Sequence, residues 1–207
     1  MADTEPLKVQ GYDKFWETIL SRKNDDIAGS TGAVYDKEGN RFYIKFLGTN
    51  VCLTPSTRLI TENHTEKVVE YDLRIAVLTY FALSKRINLS GEWVTPQQLP
   101  SGAMFFRGVH SIPAEKIIDR FVNDTKSVIA ACEAIGGAKV EVSPADVCYD
   151  FMLFPRVPVR LQYWRGDEEL PPSVTLLFDR TANEFLLIDG ILGVAKMFVK
   201  RLTAFNG

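Results

Sequence analysis

With 207 residues, 46% hydrophobic and 24% charged, the chain has the balance of one globular domain and is long enough to bury a core without disulfide or metal staples. Its 24 basic and 26 acidic side chains leave a net charge of −2, which excludes the strongly basic footprint that nucleic-acid binding leaves. The most apolar run, Ile75 to Leu83, is far shorter than the ~20 residues a membrane helix needs, and the N-terminus carries no signal-peptide pattern, so no membrane partner is expected.

In chain order, Tyr12 to Arg22 sets Phe15, Trp16, Ile19 and Leu20 at spacings of three and four, the pattern of an amphipathic helix with an aromatic inner face. Asn24 to Gly32 reads as loop. Ala33 to Asp36 and Arg41 to Phe46 form a predicted hairpin, with Phe42, Ile44 and Phe46 alternating with polar neighbours and Gly39 supplying a positive φ in the turn. Val51 to Thr54 is a third strand. Lys67 to Ile87 is the longest helical candidate, apolar nearly all round from Ile75 to Leu83 and so read as a central buried helix. Ala103 to Ile135 reads as two or three short helices, broken at Pro113 and near Asn123-Asp124 and stopped by Gly136-Gly137.

The last third returns to strands. Val159, Leu161 and Tyr163 face one side and Arg160, Gln162 and Trp164 the other. Pro155 and Pro158 place this segment at an edge or a strand start. Val174 to Phe178 is the next strand, and Asp189 is placed to cap a helix from Ile191 to Leu202. Helices and strands come in blocks, which predicts an α+β fold, a single domain over 1–207: antiparallel strands from both halves packed against a central helix and a middle helical segment. One echo, an aspartate followed six residues later by phenylalanine, occurs at Asp36 and Asp179. The plain reading is two similar turns, since aspartate starts turns readily.

Phosphate-loop, dinucleotide, nucleophile-elbow and zincin motifs are absent. Cys52, Cys132 and Cys148 lie far apart without CxxC spacing, which fits small core residues in a reducing cytosol; a cytoplasmic location is expected. His64 sits in a polar loop, where solvation is the default. His110 follows Phe105-Phe106-Arg107 and is the one local candidate for a general base or ligand; the plainer reading is a histidine bonded to backbone.

The densest polar feature is Trp164-Arg165-Gly166-Asp167-Glu168-Glu169. Three adjacent carboxylates repel one another unless solvated, paired or bound to a metal, and Asp179 and Asp189 are candidates to converge on them around Mg²⁺ or Ca²⁺. The competing reading is a charged, proline-terminated hairpin turn with Arg165 or Arg160 pairing in place. Arg156, between two prolines, suits an anion or an ion pair with Asp150 or Asp146.

Gly91-Glu-Trp-Val, Leu99-Pro-Ser-Gly, Gly136-Gly137, Phe154-Pro-Arg-Val-Pro, Trp164 to Leu170 and Leu177-Phe-Asp together resemble the uncharacterised prokaryotic family known as domain of unknown function 3786, over about Tyr12 to Leu202. Leu170 stands where that family often has phenylalanine. The resemblance implies a setting in anaerobic metabolism. Some relatives carry a four-cysteine iron–sulfur segment like that of corrinoid proteins; no such run occurs here, so a link to corrinoid or iron–sulfur partners is implied by resemblance alone. No catalytic residue, and no cofactor, is carried over. The expectation is an accessory protein that binds a small ligand, cofactor or partner protein through Trp164, Arg165, Asp167, Glu168, Glu169 and Asp179, with Arg156 and His110 as further candidates. The alternative is a carboxylate-based enzyme at the same place, with or without a divalent metal.

Overall fold

The alternating runs of the two halves become two antiparallel sheets in the computed structural model, which describes residues 12–62 and 67–205. His64 lies outside the described residues. The fold is α+β.

The first half opens with α1 (Asp13–Ser21), whose Phe15, Trp16 and Ile19 are buried. Leu20 is 52% exposed, because it sits about a quarter-turn from the centre of that stripe at 100° per residue. Residues 24–31 are helical rather than loop: α2 (Asn24–Thr31) carries Asp25 and Asp26 in its first turn and ends at Gly32, whose φ of 71° is left-handed. Few helix-forming residues favour it locally, and tertiary contacts hold it. Arg22 donates to Asp26 at 2.8 and 2.9 Å and to the carbonyl of Phe81 at 2.9 Å. Strands β1 (Val34–Asp36), β2 (Arg41–Phe46), β3 (Thr49–Thr54) and β4 (Leu59–Glu62) follow as a meander in sequence order. In the first turn Asn40, not Gly39, takes the positive φ, at 47°. A Cβ on Gly39 would collide with the paired Asp36 and Arg41 side chains, so glycine serves close approach there.

Helix α3 (Tyr71–Leu83) is buried from Ala76 through Ala82, as its all-round apolar pattern requires. It starts later than the sequence pattern suggests, because Val68 bridges Thr61 and Val69 donates to the carbonyl of Ile60, which extends the first sheet. After β5 (Trp93–Val94) come short helices α4 (Gly102–Phe105), α5 (Glu115–Phe121) and α6 (Thr125–Ala134). Asp124 caps α6 by accepting from the amides of Lys126 and Ser127, and Gly136 stops the segment with φ 82°.

Then β6 (Ala138–Lys139), β7 (Val147–Phe154), β8 (Val157–Trp164) and β9 (Ser173–Asp179) join β5 in the order β5-β9-β8-β7-β6. Pro158 is the second residue of β8 and pairs with Met152 at the strand start, where a missing N–H is tolerated. Helix α7 (Ile188–Thr203), the longest at 16 residues, runs antiparallel to α3, with Lys200 near Glu70 at one end and Gly190 near Thr79 at the other. Asp189 does not cap it. Leu187 holds the N-cap position, and Asp189 lies in the first turn, where negative charge suits the positive end of the helix.

One continuous apolar core joins both sheets to α3 and α7. The seam is explicit: the Leu47 amide donates to the carbonyl of Leu153 at 3.2 Å, and the Phe154 ring lies between Phe46 at 5.2 Å and a stacked Tyr80 at 4.5 Å. The Tyr80 hydroxyl donates to the carbonyl of Thr31 at 2.7 Å, so a buried phenol ties α3 to α2. All three cysteines are buried thiols, and burial pushes that of Cys132 up to about 12. The Asp–Phe echo is two turns in different settings. The first lies in the β1–β2 hairpin and the second leads from β9 into α7, though Phe42 and Phe185 are both fully buried. Among the described residues no helix is long and apolar enough to cross a membrane.

Candidate functional site

Strands β8 and β9 form a hairpin paired from Val159–Phe178 to Trp164–Ser173, so the acidic segment is the turn at its tip. Asp167 organises that turn. Its Oδ1 accepts from the amides of Glu169 at 2.9 Å and Leu170 at 2.8 Å, while its own amide donates to the carbonyl of Leu170 at 2.9 Å. The Leu170 and Glu169 amides hold the Asp167 carboxyl below its ordinary value. The Arg165 amide donates to Asp146 and the Gly166 amide to Asn123, and a Cβ on Gly166 would lie 2.6 Å from Pro172 Cδ. The segment is a hairpin turn, but the arginine pairing expected with it is not there among the described residues: Arg160 pairs with Asp150 of β7 instead. Arg165, Asp167, Glu168 and Glu169 all remain exposed.

Asp179 does not join them. It ends β9, six residues from Ser173 and so about 20 Å from the tip at ~3.3 Å per residue. Only 3% exposed, it accepts from the amide and hydroxyl of Ser90 at 3.1 and 2.9 Å, the amide of Gly91 at 2.7 Å, and the amide and hydroxyl of Thr181 at 2.9 and 2.5 Å. Burial pushes its carboxyl up, but the Thr181 and Ser90 donors outweigh it and the net displacement is downward. This carboxylate pins the Ser90–Gly91 loop to the sheet. The exposed Asp189 lies in the first turn of α7 and shares no described contact with the acidic turn. Among the described residues no group of three histidine, cysteine or carboxylate side chains is placed to hold a metal ion. Asp179 and Asp189 therefore do not converge with the acidic turn.

Arg156 sits in the β7–β8 turn, at the opposite end of β8 from Trp164. Its amide donates to the Tyr80 hydroxyl at 3.2 Å and its guanidinium to the carbonyl of Gly29 at 3.4 Å. It pairs with neither Asp150, which binds Arg160, nor Asp146, which receives the Arg165 amide. His110 closes a 3₁₀ turn, Gly108–His110, exposed and with its ring stacked 4.8 Å from that of Phe105.

What the fold does assemble is the outer face of the five-stranded sheet. Register and alternation put Asp150 and Met152 of β7, Arg160, Gln162 and Trp164 of β8, Thr175 and Leu177 of β9, and Trp93 of β5 on one side. Arg160 grips Asp150 with two parallel hydrogen bonds of 2.6 and 2.8 Å, and its guanidinium lies 4.3 Å from the centre of the Trp93 ring. The hydrogen bond to Asp150 raises the guanidinium further above its ordinary range. Both tryptophans are only half-buried, and Met152 is 47% exposed. Sequence alternation already grouped Arg160, Gln162 and Trp164. Trp93 and Asp150 were missed because only the pairing of strands far apart in the chain brings them alongside.

A family model described as Domain of unknown function (DUF3786) matches residues 24–201. The chain belongs to that family. No curated protein and no solved structure matches it. The DUF3786 match begins at α2 and ends within α7, so it takes in both sheets and the whole outer face described above.

Proposed function

We propose that the chain is a non-catalytic, cytoplasmic binding module of anaerobic metabolism, working as one unit over its 207 residues. Its recognition surface is the outer face of the five-stranded sheet together with the acidic turn at its tip, and its ligand is a partner protein. One observation carries this reading: Trp93, Trp164, Met152 and Arg160 share one half-open sheet face. Tryptophan, methionine and arginine are enriched at protein interfaces, and tryptophan and arginine supply much of the binding energy there. At the tip Asp167, Glu168 and Glu169 outnumber Arg165, so the complementary partner surface is an apolar patch with a basic rim. The family resemblance makes corrinoid and iron–sulfur proteins of anaerobes the first partners to try.

The test places a photo-crosslinking residue at position 164 and, separately, at exposed Leu20, in cells of the source organism. The expected result is one dominant adduct from position 164 and none from position 20. The captured protein, purified, should then bind the wild-type chain and lose about tenfold or more in affinity to Glu168→Lys/Glu169→Lys, the size of effect expected for opposed charges at a rim. Equal adducts from both positions, or an affinity untouched by charge reversal, would reject the reading.

A further inference from the structure

A second feature lies away from this face. Helices α5 and α7 border a hollow of about 600 Å³ whose rim includes Gly108 and Val109, and three lysines line it: Lys116 from α5, and Lys196 and Lys200 from α7. Lys196 and Lys200 are four residues apart and so share one helix face, a spacing at which like charges disfavour a helix. Lys116 adds a third positive charge across the helix–helix junction. That junction is fixed: Arg120 of α5 donates to the carbonyls of Thr203 and Phe205 at 3.3 and 2.8 Å, holding α5 against the end of α7.

The three charges are poorly compensated. Lys200 lies 3.6 Å from Glu70, with both side chains about three-quarters exposed, a contact that solvent screens. Among the described residues neither Lys116 nor Lys196 has an ion-pair partner, although Glu115 and Asp119 share α5 with Lys116. Attraction to the negative end of α7 accounts for Lys200 in the last turn. It does not account for Lys196 one turn earlier, nor for Lys116 on another helix.

We propose that this hollow binds a phosphate group, carried by a soluble molecule or by a lipid headgroup. Three ammonium groups offer many N–H donors as movable point charges, which suits a compact oxyanion bearing two or more charges better than a single carboxylate. The backbone at Gly108 leaves the rim open, since its φ is 55° and a Cβ there would meet nothing within 4 Å. Val109, on the same rim, is 85% exposed, and an apolar side chain beside a cationic hollow is what a headgroup site at a membrane surface presents.

Two arms separate the sources. In the first, the full chain is titrated calorimetrically with inorganic pyrophosphate at low ionic strength. In the second, it is co-sedimented with phosphatidylcholine vesicles with and without phosphatidic acid, whose phosphate monoester can carry two charges. Lys116→Gln, Lys196→Gln and their combination are compared with Lys37→Gln, an exposed lysine on the β1–β2 turn. A soluble phosphate predicts one-to-one pyrophosphate binding, about tenfold weaker in each single variant, as expected for one charge-assisted hydrogen bond, and lost in the double variant. A headgroup predicts sedimentation with the anionic vesicles alone, abolished by the double variant and by Val109→Asp. Lys37→Gln changes neither. Absence of binding in both arms, or binding indifferent to Lys116 and Lys196, overturns the proposal.

Discussion

The β8–β9 turn and the far end of β9 each hold an aspartate that accepts backbone amides, Asp167 and Asp179, yet the two do different work. Asp167 stands in water and satisfies its own turn. Asp179 has lost nearly all its water and holds two segments, the Ser90–Gly91 loop and the Thr181 turn, through five hydrogen bonds. The lesson is that burial, more than charge density, separates a structural carboxylate from one free to meet a partner. Exposed hydrogen bonds exchange with water at little net gain, whereas donors left unsatisfied in a buried place cost their full desolvation.

The largest effect that sharpens this contrast is at Asp179. Asp179→Ala orphans the amides of Ser90, Gly91 and Thr181 and is expected to lower unfolding free energy by about 3 kcal/mol, read from urea denaturation. A loss under about 1 kcal/mol would mean that the pocket admits water freely. The pH dependence has a definite sign. The folded carboxyl lies below its unfolded value of about 4, so its contribution is complete above that pH and is lost as pH falls further. Asp179→Asn should therefore flatten the acid limb of the stability curve.

A middle-sized effect belongs to the sheet face between the two ends. A double-mutant cycle on Trp93→Leu and Arg160→Met should give a coupling of about 1 kcal/mol, the worth of a partly desolvated cation–π contact. Additive losses would reduce the stacking to mere proximity. The smallest effect is at the tip. Asp167→Asn with Glu168→Gln keeps an acceptor oxygen at position 167, so the melting temperature should stay that of the wild type while partner affinity falls. A clear drop in melting temperature would make the tip a structural element after all.

Much of this fold could be read from local pattern, and what could not has identifiable causes. Helix α3 was legible because an apolar run without a polar face has only one place to go. The first hairpin and the alternation of β8 were legible because a period of two survives in any sheet. Helix α2 was not, since Asn24-Asp-Asp-Ile-Ala-Gly is held by Arg22 and by its neighbours rather than by its own propensity. Strand β4 was missed because four residues, Leu59–Glu62, give too short a pattern. At the candidate site the residue types were legible and their grouping was not. A turn of charged residues and a buried aspartate look alike on paper, and only the strand register shows that they stand at opposite ends of one hairpin.

Arg22 has one more consequence. It lies outside the 24–201 match, as do Phe15, Trp16 and Ile19, yet its guanidinium holds the end of α3 and those three side chains fill the core. At the other boundary, Leu202 is fully buried, and Arg120 is anchored to carbonyls at 203 and 205. The stretch matched by the family model is therefore smaller than the packed structure around it. A fragment trimmed to it would expose apolar surface at both cut ends, and recombinant work on this protein should begin no later than Asp13 and run through Phe205.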